Sequence, residues 1–198
     1  MQTKNRPSNN PAGRPRSGDV TDRIHTAVLS LMKNGSYGDL SIEAIAAKAR
    51  VSRPALYRRY ATVGQITLGA LQAAGSIFLP MPQTTNVGKD LCHYFNSLVT
   101  AIAADTVTGR ALRGVLASAL TDPGFGPHFA RFIENRREPV RQRLARWNEA
   151  LEAAQLEEAL DAMFGPILYR LLIRRVTAND SQISRIVNHA LSGINCKS

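Results

Sequence analysis

The chain has 198 residues, is 44% hydrophobic and carries 25 Lys and Arg against 15 Asp and Glu, a formal net charge of +10. This length suits one sizeable core, or a small domain joined to a larger one. No apolar run approaches the ~18 residues that cross a bilayer, the polar amino terminus is unlike a secretory signal, and the two cysteines follow no metal-ligand spacing. We therefore expect a cytoplasmic protein without a membrane span, metal or cofactor.

The positive charge is concentrated at the front of the chain. Residues 1–60 hold 11 basic and 4 acidic side chains, whereas residues 61–198 hold 14 and 11. A field of this sign favours a polyanionic partner. A membrane surface would attract the same charge, but the basic residues fall on a compact pair of short helices, not on a long amphipathic helix with bulky apolar anchors.

Residues 1–18 contain three prolines and two glycines and no apolar stripe, which predicts a flexible basic arm. Arg14 and Arg16 flank a proline, and a short flexible cation of this kind can follow a narrow minor groove. A tail that only aids solubility is the alternative, and the sequence leaves both interpretations open.

Residues 19–60 read as three helices. The apolar spacing predicts a first helix over residues 19–34, which ends in a Gly-rich break. Ser41 then precedes a stripe of four apolar residues at helical spacing, and its hydroxyl can cap the first turn: Ile42, Ile45, Ala46 and Ala49. Ser52 caps another short helix over residues 52–60, in which Pro54 falls in the first turn and costs no hydrogen bond.

The helix over residues 52–60 is basic on its outer side. Leu56 and Tyr60 can share the buried side, whereas Arg53, Tyr57 and Arg58 lie elsewhere on the helix. A helix fits the major groove of DNA, Arg binds guanine edges bidentately, and Tyr hydroxyls bond phosphate oxygens. The pattern therefore predicts an element that reads DNA.

The run from Ile45 to Tyr60 resembles the helix-turn-helix of the TetR family of bacterial transcriptional regulators, and the similarity extends over residues 19–71. It implies an all-α protein with a three-helix DNA-binding domain over residues 19–62 and a larger ligand-binding and dimerisation domain over residues 63–198. Two positions depart from the family pattern. Arg50 stands where Gly is usual, so we expect a left-handed residue there. Val63 replaces a Lys that commonly contacts a phosphate.

The resemblance also implies individual contacts with DNA. We expect Arg53 and Arg58 to contact base edges, and Pro54 and Ala55 to offer apolar contact to a thymine methyl. Phosphate contacts are assigned to the hydroxyl and basic side chains around them: Ser41, Tyr57, Arg59, Tyr60 and Thr62. An aromatic residue is frequent in the family where Tyr37 stands, packed under the helix-turn-helix, so a core role is expected for Tyr37.

Beyond Tyr60 the periodicity is helical throughout, with no strand alternation and no internal repeat. Six further helices bring the expected total to about nine, at residues 62–78, 89–105, 108–120, 128–153, 156–176 and from 180 onward. Pro139 removes one backbone hydrogen bond and should kink or divide its helix near Asn135.

The candidate ligand-binding region covers residues 89–153, because the family binds varied small, often apolar molecules there. Nine large side chains in this region and just beyond it are candidates for lining a cavity: Phe95, Leu98, Leu112, Leu116, Phe129, Phe132, Trp147, Met163 and Tyr169. Ordinary core packing is the alternative for each of them. The sequence does not identify the small-molecule effector.

The last two helices carry more apolar surface than a thin domain can cover. In the family the corresponding pair forms a four-helix bundle with its twin, and residues 164–172 are similar to the stretch found there in one subgroup. The expected interface residues are Phe164, Ile167, Leu168, Leu171, Ile183, Ile186, Val187 and Ala190. The alternative, that such residues serve the protomer's own core, holds for some of them.

These features together imply a ligand-responsive transcriptional regulator, interpreted as a repressor. It would bind a palindromic operator in double-stranded DNA as a homodimer and be released by a small-molecule effector. An architectural DNA-binding protein without an effector and a small helical enzyme are the alternatives. The four histidines are scattered without partners at ligand spacing, and no catalytic motif occurs, so we expect neither a metal site nor an enzyme.

Overall fold

The computed structural model describes the backbone of residues 17–195 and the side chains of residues 18–194. Over this range it contains helices and no strands, which confirms the all-α class. The nine α-helices are α1 (Ser17–Asn34), α2 (Ile42–Ala49), α3 (Arg53–Tyr57), α4 (Val63–Ala73), α5 (Val87–Ala103), α6 (Val107–Thr121), α7 (Gly126–Trp147), α8 (Ala153–Leu168) and α9 (Asp180–Asn195).

Helices α1 to α3 form a three-helix head, and both predicted caps are present in it. The Ser41 hydroxyl accepts from the Ala44 N–H at 3.1 Å and the Ser52 hydroxyl accepts from the Ala55 N–H at 3.3 Å. Arg50 between the two helices is left-handed as expected, with φ 53° and ψ 49°. This conformation costs an L-residue other than glycine about 1 kcal/mol. It ends α2 and turns the chain toward α3.

Helix α4 is shorter than predicted, since it ends at Ala73 and not at Phe78. Gly75 adopts φ 64°, and the Ser76 N–H donates to the Leu71 carbonyl, which closes the last turn. A non-helical segment, residues 76–86, then leads to α5, whose first turn is capped by the Asn86 side chain. Glycine at this position therefore separates a compact α4 from a linking segment.

The prediction that Pro139 kinks or divides its helix is wrong as to division, because α7 runs unbroken from Gly126 to Trp147. Asn135, whose carbonyl loses its usual partner, is exposed, so water can satisfy that group. Helix α8 likewise continues through Pro166, and a π-helical turn over Tyr169–Ile173 extends it. In both helices the proline removes one backbone hydrogen bond without ending the helix.

Helix α6 connects the three-helix head to the rest of the molecule. The Tyr37 ring, in a short 3₁₀ turn after α1, packs against Gly114, and its hydroxyl accepts from Ser118 at 2.9 Å. Arg110 donates to the Met32 carbonyl at the end of α1, at 3.0 Å. The expected core role of Tyr37 is confirmed, although its ring packs against α6 and not beneath the helix-turn-helix.

A buried ion pair joins α5 to α7. Arg143 Nε lies 2.7 Å from Asp90 Oδ2, and the Thr84 hydroxyl and N–H donate to the same carboxylate at 2.7 and 3.0 Å. Asp90 is 1% and Arg143 6% exposed. Burial acts to raise the pKa of Asp90, but the hydrogen bonds from Thr84 and Arg143 outweigh it and hold that pKa below its ordinary value.

A second ionic network joins α7 to α8 at the surface. Arg137 contacts Glu157 and Asp161, both at 2.6 Å, and Arg141 contacts Glu157 at 2.7 Å. Arg141 also contacts Glu134 and Glu138 of its own helix. Hydrogen bonds from the arginines lower the pKa of Glu157. Several shared charges make such a network stiffer than isolated surface pairs.

Every helix in the described part of the chain is too short or too polar to traverse a lipid bilayer. Residues 17–195 also contain no group of three His, Cys, Asp or Glu side chains arranged to hold a metal ion.

Candidate nucleic-acid interface and regulatory cavity

Helix α3 presents a basic and aromatic surface to solvent. Leu56 is fully buried beneath it, whereas Arg53, Pro54 and Arg58 are exposed and Tyr57 is 55% exposed. An exposed tyrosine and arginine on one short helix are available to a ligand without any rearrangement of the head. The helix ends at Tyr57 and not at Tyr60, so Arg58, Arg59 and Tyr60 belong to the turn that follows.

The outer surface of α3 also carries a weak internal contact. Arg53 Nη1 lies 3.5 Å from Glu43 Oε1, and both side chains are more than half exposed. A pair this open to water contributes little to stability and is easily exchanged for a stronger partner. Glu43 therefore positions Arg53 without neutralising the surface, and a phosphate or a guanine edge can displace it.

Two of the predicted phosphate ligands already have partners within the head. Tyr60 Oη lies 2.7 Å from His25 Nε2, and Arg59 donates to the Ala55 carbonyl at 3.0 Å. Burial raises the pKa of Tyr60 and lowers the pKa of His25, so the pair is held neutral. These contacts brace the end of α3 against α1.

The hydroxyls of Ser41 and Thr62 can still donate a hydrogen bond, because each one only accepts in its helix cap. Thr62 accepts from the Gln65 N–H at 3.2 Å at the start of α4. Both residues are half-buried at helix starts, where backbone N–H groups also favour an anion. Arg14 and Arg16, proposed for the minor groove, lie outside the described residues.

Arg53→Ala is expected to weaken binding to a specific operator by about 1–3 kcal/mol and to relax selectivity at one position in each half-site. Tyr57→Phe, the matched change on the same helix, should reduce affinity with little change in the preferred sequence, because a phosphate contact carries no base information. Competition binding against a set of single-base operator variants measures both effects. Equal weakening on all sequences for Arg53→Ala would make Arg53 a phosphate ligand.

An apolar cavity of about 40 Å³ lies in the larger part of the molecule, between α5, α6, α7, α8 and the segment after α4. Its walls are Ile77, Leu79, Leu98, Ala101, Ile102, Leu112, Leu116, Phe132, Ile133, Arg136, Phe164 and Leu168. Four of the nine candidates from the sequence are among them: Leu98, Leu112, Leu116 and Phe132. The cavity draws on segments that are far apart in sequence.

The other five candidates do not line this cavity. Phe95 and Met163 are fully buried in the core, Phe129 and Trp147 pack against it, and Tyr169 is 54% exposed. Periodicity marks a buried face but does not separate a residue beside a void from one in tight packing. The sequence analysis did not include Arg136, because a charged residue on a basic helix gives no sign that it faces inward.

The predicted subunit contacts need a correction. Five of the eight side chains are buried within the protomer and have almost no surface to offer a partner: Phe164, Ile167, Ile183, Val187 and Ala190. Leu168, Leu171 and Ile186 are half-buried and pack against the same core. The apolar stripes of α8 and α9 face each other and α5, so the alternative of an intramolecular role applies to most of this set.

A capped three-helix head with an exposed basic third helix, carried on a larger helical bundle with an apolar cavity, is the architecture of a helix-turn-helix transcriptional regulator. Residues 81–190, more than half of the chain, match the family model described as the tetracyclin repressor-like C-terminal domain. The protein therefore belongs to the TetR family.

Two transcriptional regulators match the chain over nearly their whole length. The HTH-type transcriptional regulator YdeS of Bacillus subtilis is 24% identical over 190 residues, covering 94% of this chain and 95% of YdeS. The HTH-type transcriptional regulator Rv1556 of Mycobacterium tuberculosis is 22% identical over 195 residues, covering 96% of this chain and 93% of Rv1556.

Two crystal structures have the same fold. The TetR family regulator SCO0332 has a TM-score of 0.69 at 23% identity, covering 89% of this chain and 98% of SCO0332. The multidrug binding protein EbrR, complexed with imidazole, has a TM-score of 0.57 at 18% identity, covering 95% of this chain and 97% of EbrR.

Proposed function

We propose that the protein is a homodimeric repressor that binds a palindromic operator and is released by a small-molecule effector. The DNA-binding domain spans residues 19–62 and the regulatory domain residues 63–198. The observation that carries this proposal is α3, a capped helix with Arg53 and Tyr57 on its outer side, Arg58 exposed directly after it and Leu56 buried beneath it. Two such helices related by a twofold axis read two half-sites one helical turn of DNA apart.

A surface for the second subunit remains on the outer side of α8 and α9. Ala162, Gly165 and Tyr169 lie along one exposed stripe of α8, and Ser181, Arg185, Asn188 and Ser192 repeat along α9. Ala162 and Gly165 are small, and the space beside Gly165 is open, so a second helix can approach α8 closely at these positions. This surface, and not the buried stripe predicted from the sequence, supports the four-helix contact that the family suggests.

The route from effector to DNA passes through α4 and α6. Leu112 and Leu116 of α6 line the cavity, while Gly114 and Ser118 of the same helix contact Tyr37 next to the head. A ligand that moves α6 thus changes the support of the three-helix head. It does so only through its difference in affinity for the DNA-binding and released states.

Selection of bound genome fragments, followed by footprinting, tests the proposal. A palindromic footprint is expected, with affinity that falls steeply as salt rises because phosphates release counterions. Continuous coverage of DNA without a preferred sequence would favour an architectural role. Lack of DNA binding at low salt would overturn the proposed function.

Ala162→Glu is expected to make the protein monomeric at micromolar concentration and to weaken operator binding. The carboxylate would lie close to its own copy across the twofold axis, where its removal from water and the repulsion between the two copies oppose association. Light scattering reports the mass, and far-ultraviolet dichroism confirms that the fold is kept. Ala153→Glu is the control on the same helix, because that position is exposed on the opposite side of α8. A dimeric Ala162→Glu protein would place the interface elsewhere.

A further inference from the structure

The cavity between α5, α6, α7 and α8 has one charged wall residue. Eleven of its lining residues are apolar and the twelfth is Arg136 of α7. The guanidinium carbon lies 5.3 Å from the centre of the Phe132 ring, so the charge is held against another wall residue. A cavity with a single fixed polar group selects the orientation of what it binds.

Arg136 is only partly satisfied within the protein. One Nη donates to the Ile77 carbonyl, whereas Nε is buried and has no hydrogen-bond partner. Among the described residues no carboxylate forms an ion pair with Arg136, while the nearby Glu134 and Glu138 are paired with Arg137 and Arg141. Burial lowers the pKa of Arg136, which reflects the cost of a cation without a counter-charge.

We propose that this cavity binds an apolar molecule with one carboxylate, and that Arg136 is the residue that binds the carboxylate. The identification of the molecule as an effector rests on the proposed function. A carboxylate supplies two acceptors to the planar guanidinium and the negative charge that the protein does not provide. A neutral ligand leaves the cation uncompensated, and a cationic ligand is repelled by it.

The ligand must enlarge the cavity, and the structure indicates which wall moves. About 40 Å³ holds little more than one water molecule. Ile77 and Leu79 come from the non-helical segment after Gly75, with Phe78 between them 75% exposed, whereas most of the other walls are helical. Displacement of this segment opens the cavity with the smallest loss of packing.

The same residues connect the ligand to the DNA-binding head. A carboxylate bound by Arg136 competes with the Ile77 carbonyl for the guanidinium, and Ile77 lies four residues after the end of α4. Helix α4 packs against α1 and begins at Thr62 beside the DNA-binding surface. Loss of the Arg136–Ile77 bond therefore frees the carboxyl end of the helix that supports the head.

Octanoate, octan-1-ol and octylamine test the proposal, since they share one apolar chain and differ in charge. Direct titration calorimetry and thermal unfolding of the full chain report their binding. Octanoate is expected to bind at least about tenfold more tightly than octan-1-ol, because a charged hydrogen bond is formed, and octylamine more weakly than either. Arg136→Met should abolish this preference while binding of octan-1-ol persists, and Arg136→Lys should retain part of it.

Arg131→Met is the matched control, because Arg131 is exposed on the same helix and does not line the cavity. It should leave the preference for octanoate unchanged. Equal binding of octanoate and octan-1-ol, no binding of octanoate by the wild type, or a preference that survives Arg136→Met would overturn the proposal. Octanoate that binds through Arg136 without affecting operator binding would count against the proposed regulation and leave the carboxylate site standing.

Discussion

Asp90→Ala is expected to lower the free energy of unfolding by about 3–5 kcal/mol, because it leaves the Arg143 guanidinium buried without a counter-charge. The side chain of Asp90 is 1% exposed and accepts bonds from both Arg143 and Thr84. The loss of these acceptors leaves the buried cation unpaired, whereas the donors of Thr84, an exposed residue, can turn to water. Chemical denaturation followed by dichroism measures the change.

Two further variants separate charge from volume. Asp105→Ala removes an exposed carboxylate that pairs with Arg110 at 3.0 Å, and should cost less than about 1 kcal/mol. Asp90→Leu combined with Arg143→Met removes both charges and should recover a large part of the loss. If Asp90→Ala were as mild as Asp105→Ala, water would have to reach the pair and the packing described for α5 and α7 would be wrong.

The same carboxylate gives stability a dependence on pH. The pKa of Asp90 is lower in the folded state than the value of about 3.9 for an unfolded chain. The folded state therefore binds fewer protons, so this contribution is present above that value and is lost as the pH falls through the folded pKa. Asp90→Ala should be less sensitive to acid over that window than the wild type.

Gly114→Val is the second substitution with a large expected effect. A Cβ at this position would overlap the Tyr37 ring, since its ideal position lies inside the closest approach of two carbon atoms. Overpacking of this kind costs about 3 kcal/mol, and the side chain that must move is the one that joins α6 to the head. We expect loss of unfolding free energy together with weaker operator binding, measured on the same preparation.

The source of this effect can be isolated on the same helix. Ala117→Val places the same side chain on the exposed side of α6 and should change stability by less than about 1 kcal/mol. Tyr37→Ala should make Gly114→Val tolerated, because the space occupied by the ring becomes free. If a double-mutant cycle of Tyr37→Ala and Gly114→Val gave no interaction energy in unfolding, Tyr37 would not be the side chain that limits the approach of α6.

Local chemistry predicted the head well. The caps from Ser41 and Ser52, Pro54 in the first turn of α3 and the apolar stripe from Ile42 to Ala49 all depend on residues close in sequence, so they can be recognised without a structure. The left-handed Arg50 followed from the family pattern. The ends of α3 and α4 were less well predicted, because side-chain periodicity continues past the point where backbone bonds stop.

Contacts between distant residues were not predictable in the same way. The bond between His25 and Tyr60 joins residues 35 apart, and the cavity combines Ile77 with Phe164. The apolar stripes of α8 and α9 were expected to exceed what one protomer can cover, whereas five of the eight side chains named for the interface are buried within the protomer. What covers them, the protomer's own core or a second subunit, depends on the packing of the whole bundle and is not encoded in the spacing.

The ionic network between α7 and α8 has a mechanical consequence. Arg137 and Arg141 hold Glu157 and Asp161 at short distances, so the two helices are cross-linked over one turn and turn together there as one lever. Arg136 sits on that lever, and its far side is the surface proposed for the second subunit. A tilt that begins at the guanidinium would thus alter the angle between protomers, and with it the separation of the two reading heads.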